Sequence, residues 1–134
     1  MAADGLTTIQ SSYGPKETIN RLEAEIRSRD MTIFAHIDHA AGAAGVGLSL
    51  RPTEVLLFGN ARGGTPMMQS VQTIGIDLPL KMLVWQDAAG DTWLSYNDPH
   101  WIAKRHGVGQ EVESTVSAMS AALDALAKIA AGGP

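Results

Sequence analysis

Between Leu80 and Gly107 the chain reads LKMLVWQDAAGDTWLSYNDPHWIAKRHG, a string that dictates a β-hairpin running directly into a short capped helix. Leu80 to Gln86 and Thr92 to Tyr96 are rich in β-branched, aromatic and aliphatic residues. The segment Asp87-Ala88-Ala89-Gly90-Asp91 between them has hairpin length and carries a glycine for the turn. Asp98 is placed to cap a helix whose first residue is Pro99, where a missing N–H costs nothing. Gly107 then supplies a left-handed stop. A chain with this word at its centre must build at least part of its core on antiparallel strands.

The remaining segments extend that sheet and cover it. Leu6 to Ser11 reads as a first strand, and Pro15 opens a helix in which Ile19, Leu22 and Ile26 share one face. The pairs Glu17/Arg21 and Glu23/Arg27, four apart with the acid first, suit its solvent side. Met31 to Asp38 alternates, with Met31, Ile33, Ala35 and Ile37 on one side and Thr32, Phe34, His36 and Asp38 on the other. An Ala/Gly-rich connection follows over Ala40 to Gly47, and Glu54 to Phe58 reads as a third strand buried on both faces. Gly59 to Gly64 is expected to be a loop, with Thr65 capping a short helix that starts at Pro66 and runs to about Val71. From Gln110 onward Val112, Val116, Met119, Leu123 and Leu126 form one apolar seam. Glu111, Glu113 and Lys128 there complement the helix dipole, and Gly132-Gly133-Pro134 forbids continuation. The predicted fold is α+β: an antiparallel twisted sheet of about five strands, with the long C-terminal helix and the N-terminal helix packed on one face.

Composition narrows the function classes. A length of 134 residues with 45% apolar side chains suits one domain, taken here as residues 1 to 134, with a buried core. The net charge of −4 argues against nucleic acid and anionic membrane surfaces as partners. The absence of cysteine removes disulfides, thiolate nucleophiles and Cys-based zinc sites. No apolar run is long enough to span a bilayer. The opening Met-Ala-Ala-Asp-Gly holds neither a basic nor an apolar segment, so a cytoplasmic location is expected, with the periplasm as the alternative if a leader was removed ahead of Asp4.

Several words of the chain, in order, resemble a known family. FGN at Phe58 to Asn60, GTPMM at Gly64 to Met68, DLPLKMLVW at Asp77 to Trp85 and WLSYNDPHWIAKRH at Trp93 to His106 are similar to the signature of "domain of unknown function 302". IDHAAGAAGVGLSLRPTEVLLF, from Ile37 to Phe58, resembles the same family's IDH…G…LRPT pattern. The likeness covers residues 6 to 107, leaving the helix at 110 to 131 outside it. It implies a compact α+β domain of the TATA-binding-protein-like class that self-associates as a homodimer, and it implies no activity.

Candidate site residues fall into three groups. His36-Ile37-Asp38-His39 has the composition of a metal cluster, but strand alternation separates His36 and Asp38 from His39, so no metal site is expected. His36 beside Phe34 is the better acid/base candidate. Gly59 to Thr65 leads into a helix start and could hold a carboxylate or phosphate through Asn60, Arg62 and Thr65, although neither a P-loop nor a dinucleotide fingerprint is present. Tyr96 and Lys81 lie on the hairpin and could face a pocket or simply complete the core. His100 and His106 are six apart and do not share a face. A single histidine beside Trp101 and Ile102 keeps haem open as a cofactor, and no other cofactor is expected. Ser95, Asp98 and His100 are too close in sequence to form a catalytic triad.

Three functions are compatible with these residues. The first is a homodimeric binder of a small apolar or amphipathic ligand held between sheet and long helix, with Met67, Met68, Met82, Phe34 and Trp85 as its walls. The second is a cofactor-free enzyme in which His36 or Tyr96 moves a proton and Lys81 or Arg62 holds an anionic substrate. The third is an assembly module that uses an exposed apolar sheet face.

Overall fold

The structure is a computed structural model that describes residues 3–132. Met1, Ala2, Gly133 and Pro134, and with them the expectations for the start and for the last two stop residues, lie outside the described residues. One antiparallel sheet runs β1 (Leu6–Ser11), β5 (Thr92–Asn97), β4 (Leu80–Gln86), β3 (Thr53–Gly59), β2 (Thr32–Asp38) from edge to edge. The hairpin pairs Gln86 with Thr92 and Trp85 with Trp93, as the central word dictates. Asp98 caps α4 (Pro99–His106) through the His100 N–H, and Gly107 ends it in the left-handed conformation.

Helices α1 (Pro15–Ser28) and α5 (Glu113–Ala131) cover one sheet face. Directly opposed residues of an antiparallel pair share a face. Leu56, Phe58, Leu80, Met82, Val84, Leu94 and Tyr96 therefore point toward the helices, where they meet Ile19, Leu22, Ile26, Leu123 and Leu126 in the main core. A second, smaller cluster joins Met67, Ile74, Ile102, Val112 and Val116 beside it. Leu78 and Met119, both half-buried, pack against both clusters and mark the seam between them. The α5 seam expected from sequence is thus split: Val112 and Val116 serve the small cluster, Leu123 and Leu126 the large one. Gly132 caps α5 with φ 72°.

Three local expectations fail. Residues Gly59 to Thr65 are not a loop, because α3 spans Ala61–Ser70 and its cap is Asn60, whose side chain accepts the Gly63 N–H at 2.8 Å. Thr65 caps nothing, and Pro66 lies inside the helix rather than at its start. Asn60 outranks Thr65 as a cap, and its own carbonyl already receives the Gly64 N–H, so the first turn closes before the proline is reached. The Ala/Gly-rich connection also contains a helix, α2 (His39–Gly45), capped by the Asp38 carboxylate on the Ala41 N–H. Finally, the register of β2 shifts between Ile33 and Ala35, so simple alternation breaks at Phe34. Ile33 opposes Phe58 and His36 opposes Leu56, which puts both on the helix-covered side, while Ala35 and Ile37 join the bare side.

Candidate functional site

The seam between the two core clusters opens into a cavity of about 590 Å³. Its floor is the end of the sheet at Met31, Phe34, Leu57, Phe58, Gly59 and Leu80. One wall is α3, with Ala61, Gly63, Gly64, Thr65 and Met68, and the opposite wall is α5, with Thr115, Ala118, Met119 and Ala122. Leu78 and Pro79 close the side. Glycine keeps the α3 wall thin: a Cβ on Gly63 would stand 3.3 Å from the Met119 methyl, and one on Gly75 the same distance from the Met68 sulfur. Met31, Met68 and Met119 are unbranched and adaptable, so these walls can reshape around an apolar guest. Polar groups are sparse: the α3 cap Asn60, Thr65 within α3, and Thr115 in the first turn of α5.

This cavity collects some of the sequence candidates and leaves out others. Asn60, Thr65, Phe34 and Met68 line it. Met67 and Met82 instead fill the two cores, and Trp85 lies on the bare sheet face. There it stacks on Trp93 at 6.2 Å between ring centroids and donates its indole N–H to the Ser95 hydroxyl. Arg62 is on the exterior of α3 and does not line the cavity. Lys81 opposes Leu57 on the bare face and donates to the Asp77 and Pro79 carbonyls. Burial lowers its pKa, against the opposing pull of Asp77.

His36 and Tyr96 are not brought together. His36 sits on edge strand β2, 3.4 Å from the Glu54 carboxylate. Tyr96 is on β5, with two strands in between. Tyr96 borders a smaller cleft of about 370 Å³ with Thr7, Asp98, His100, Ser117 and Asp124. Burial raises the pKa of its phenol, and the nearby Asp124 and Asp98 charges add to the rise against a hydrogen bond from Thr7. A phenol held neutral between carboxylates, with neither Lys81 nor Arg62 in the cleft, lacks the anion-holding cation that the enzyme reading needs. His39 starts α2 and is exposed, while His100 lies 4.0 Å from Glu113. Among the described residues no group of three or more His, Asp or Glu is placed to hold a metal ion.

The best-built polar cluster is one that sequence reasoning missed. Asp77 Oδ2 accepts from His106 Nε2 at 2.6 Å and from the Arg105 guanidinium at 2.8 Å, while His106 Nδ1 meets the Thr73 hydroxyl at 3.0 Å. Burial alone would raise the Asp77 pKa, but the hydrogen bonds and charges of His106 and Arg105 outweigh it and the carboxyl is lowered. The Thr–His–Asp order looks like a proton relay. The His106 side chain, however, is only 8% exposed, Asp77 is neutralised by Arg105, and neither cavity touches the three residues. The cluster ties α4 to the 3-10 segment Gln72–Asp77. No spacing rule could have found it, since its bonds join residues 28 to 33 positions apart.

An open five-stranded antiparallel sheet with a long C-terminal helix and helices packed on one face, and with an apolar cavity at the core seam, defines a small α+β class of fold. The chain belongs to the family described as "Domain of unknown function DUF302", whose model matches residues 7–126 and so extends into α5, beyond the words that first pointed to it. Its backbone is similar to the crystal structure of an uncharacterized conserved DUF302 protein from Bacillus stearothermophilus, with a TM-score of 0.83 and 20% identity over 96% of this chain and 99% of that one. Among curated proteins it is 44% identical over 128 residues to "Fluoride-specific ion channel FluC 1" of Brucella suis biovar 1 and to the protein of the same name from Brucella abortus biovar 1. The match takes in 96% of this chain but only 50% and 47% of those relatives, so the chain spans about half their length. Among the described residues no helix is long and apolar enough to cross a membrane.

Proposed function

We propose that this chain is a homodimeric binding domain for a small apolar or amphipathic molecule, held in the cavity between α3, the sheet end and α5. The observation that carries this reading is the cavity itself. Its volume falls in the range of small-molecule sites, and its walls are mainly aliphatic, aromatic and thioether with a few polar groups among them, which suits a guest with a largely apolar body. None of the lining residues is histidine, so a haem there would lack an imidazole ligand, and the reading includes no cofactor.

The Brucella relatives suggest a setting. We infer that the half of those channel-named proteins that resembles this chain lies outside the bilayer, because its counterpart here is an open sheet and, among the described residues, no helix is long and apolar enough to cross a membrane. An apolar cavity offers little to replace the hydration of a small anion, so a role in ion passage is not assigned to this chain.

The test is titration of the purified protein with a hydrophobic fluorescent dye and with a medium-chain fatty acid. Saturation at one per chain is expected, with loss of at least about tenfold in affinity in Ala118→Trp, which fills the mouth from an exposed helix position. Folded protein that shows no saturable binding, or binding indifferent to Ala118→Trp, would overturn the reading.

A further inference from the structure

We propose that the guest of the apolar cavity is an uncharged molecule carrying an oxygen that accepts a hydrogen bond, a hydroxyl or a carbonyl, and that ions of either sign are rejected; this rests on the ligand reading above and narrows it. The starting observation is a lining without charge. Among the described residues that border the cavity, none is Asp, Glu, His, Lys or Arg. An ion taken from water into such walls loses its hydration and gains no counter-charge, so the neutral form of a titratable guest is favoured there.

The groups that would supply a counter-charge are engaged elsewhere. Arg62 follows the lining residue Ala61 in sequence but does not border the cavity, and Lys81 gives its ammonium to the Asp77 and Pro79 carbonyls. His36 meets Glu54, and Arg105 is held by Asp77. The start of α3 would draw an anion if its donors were open, but the Gly63 N–H goes to the Asn60 side chain and the Gly64 N–H to the Asn60 carbonyl. At the start of α5 the acids Glu111 and Glu113 precede Thr115 and oppose a negative guest. Neither acid reaches the lining, so an ammonium finds no carboxylate there either.

What the lining does offer is donors. Asn60 commits its Oδ1 to the cap at 2.8 Å and has its amide N–H groups still to give. The hydroxyls of Thr65 and Thr115 can donate as well, from α3 and from the first turn of α5. Such walls select a guest oxygen that accepts, and a hydroxyl or carbonyl does so without bringing charge.

Three eight-carbon probes, 1-octanol, octanoate and octylammonium, test this on the unmodified chain by displacement of the fluorescent dye. Near pH 7.5 1-octanol should bind at least about tenfold more tightly than either ion. The net charge of −4 would repel octanoate at long range but attract octylammonium, so weakness of both ions separates desolvation from repulsion. Because the protonated acid is the form that enters, the apparent affinity for octanoate should rise about tenfold per unit as pH falls from about 7.5 to about 5.5, above the ordinary carboxylate pKa, while that of 1-octanol stays level. Asn60→Asp keeps a capping oxygen but replaces the donor amide by a carboxylate, and should raise octylammonium at least about threefold while weakening 1-octanol. Octanoate or octylammonium binding within about threefold of 1-octanol, or octanoate binding indifferent to pH, overturns the proposal and leaves the cavity reading standing, since charged heads would then stay in water at the mouth. An unchanged order of the three probes in folded Asn60→Asp overturns it too. If no probe displaces the dye, the ligand reading falls and this proposal with it.

Discussion

Residues 80–107 and residues 34–70 are built from similar elements and differ in what those elements do. In the first region the strands and helix are closed by their own chemistry and turn one face of apolar side chains into a core: Leu80, Met82, Val84, Leu94, Tyr96 and Ile102 are all buried. In the second, Phe34, Ile37, Val46, Leu48, Leu50 and Met68 stay in contact with water, one helix buries nothing, and another leaves a cavity beside it. Both regions feed the core, the second through Leu56, Phe58 and Met67, but the second also keeps apolar surface free. Apolar side chains left exposed by an otherwise well-packed domain are where binding is to be sought.

The sharpest way to break that contrast is to truncate one leucine in each region. Leu94→Ala removes a fully buried side chain between β5 and the covering helices and should cost about 2–5 kcal/mol in a urea titration. Leu48→Ala should change global stability by less than about 0.5 kcal/mol, measured on a dilute monomer, since its side chain is already two-thirds in water. Equal costs for the two would mean that the arm is core and that the comparison is misdrawn.

How legible each region is in sequence follows the same division. The hairpin, its turn and the Asp98–Gly107 helix can be read from local rules because local rules and tertiary packing agree there. Residues 34–70 mislead for reasons that are also physical. Pro66 advertises a helix start, but Asn60 had already captured the Gly63 N–H. The glycines that look like a loop are helical and keep the α3 wall thin against Met119. A bulge at Phe34 cannot be seen in a period-two pattern, and it moves His36 to the side of Leu56. Of the candidate ligand residues, only Asn60 and Thr65 reach the cavity, because the cavity is made by the packing of apolar side chains and not by the polar groups that local patterns reveal.

A smaller effect tests the polar tie at the border of the closed region. The Asp77 carboxyl is lowered in the fold, so the proton is bound more readily by the unfolded chain. Its contribution is therefore fully present above the ordinary carboxylate pKa of 3.8 and is lost as pH falls through the lower folded value. Thermal melts should place Asp77→Asn below the unmodified protein near pH 6, with the gap closing in acid. A gap that is constant from pH 6 to pH 3 would show that the carboxylate's charge contributes nothing and that Arg105 and His106 are held by packing alone.

Two aspartates in the same chemical role provide the finest comparison. Asp98 caps α4, whose Ile102 and Ala103 are buried, so its replacement by alanine should lower global stability by about 1 kcal/mol, the usual worth of an N-cap. Asp38 makes an equivalent bond to Ala41 N–H at 2.9 Å, yet α2 opens without uncovering any core. A helix that can fray alone contributes little to the global equilibrium, so Asp38→Ala should change the dilute chain's unfolding free energy by no more than a few tenths of a kcal/mol. Its effect should emerge instead as faster amide exchange over residues 39–45, where the helix loses its cap. If Asp38→Ala costs as much global stability as Asp98→Ala, α2 is part of the cooperative core of a single chain, and the free surface assigned to it does not exist.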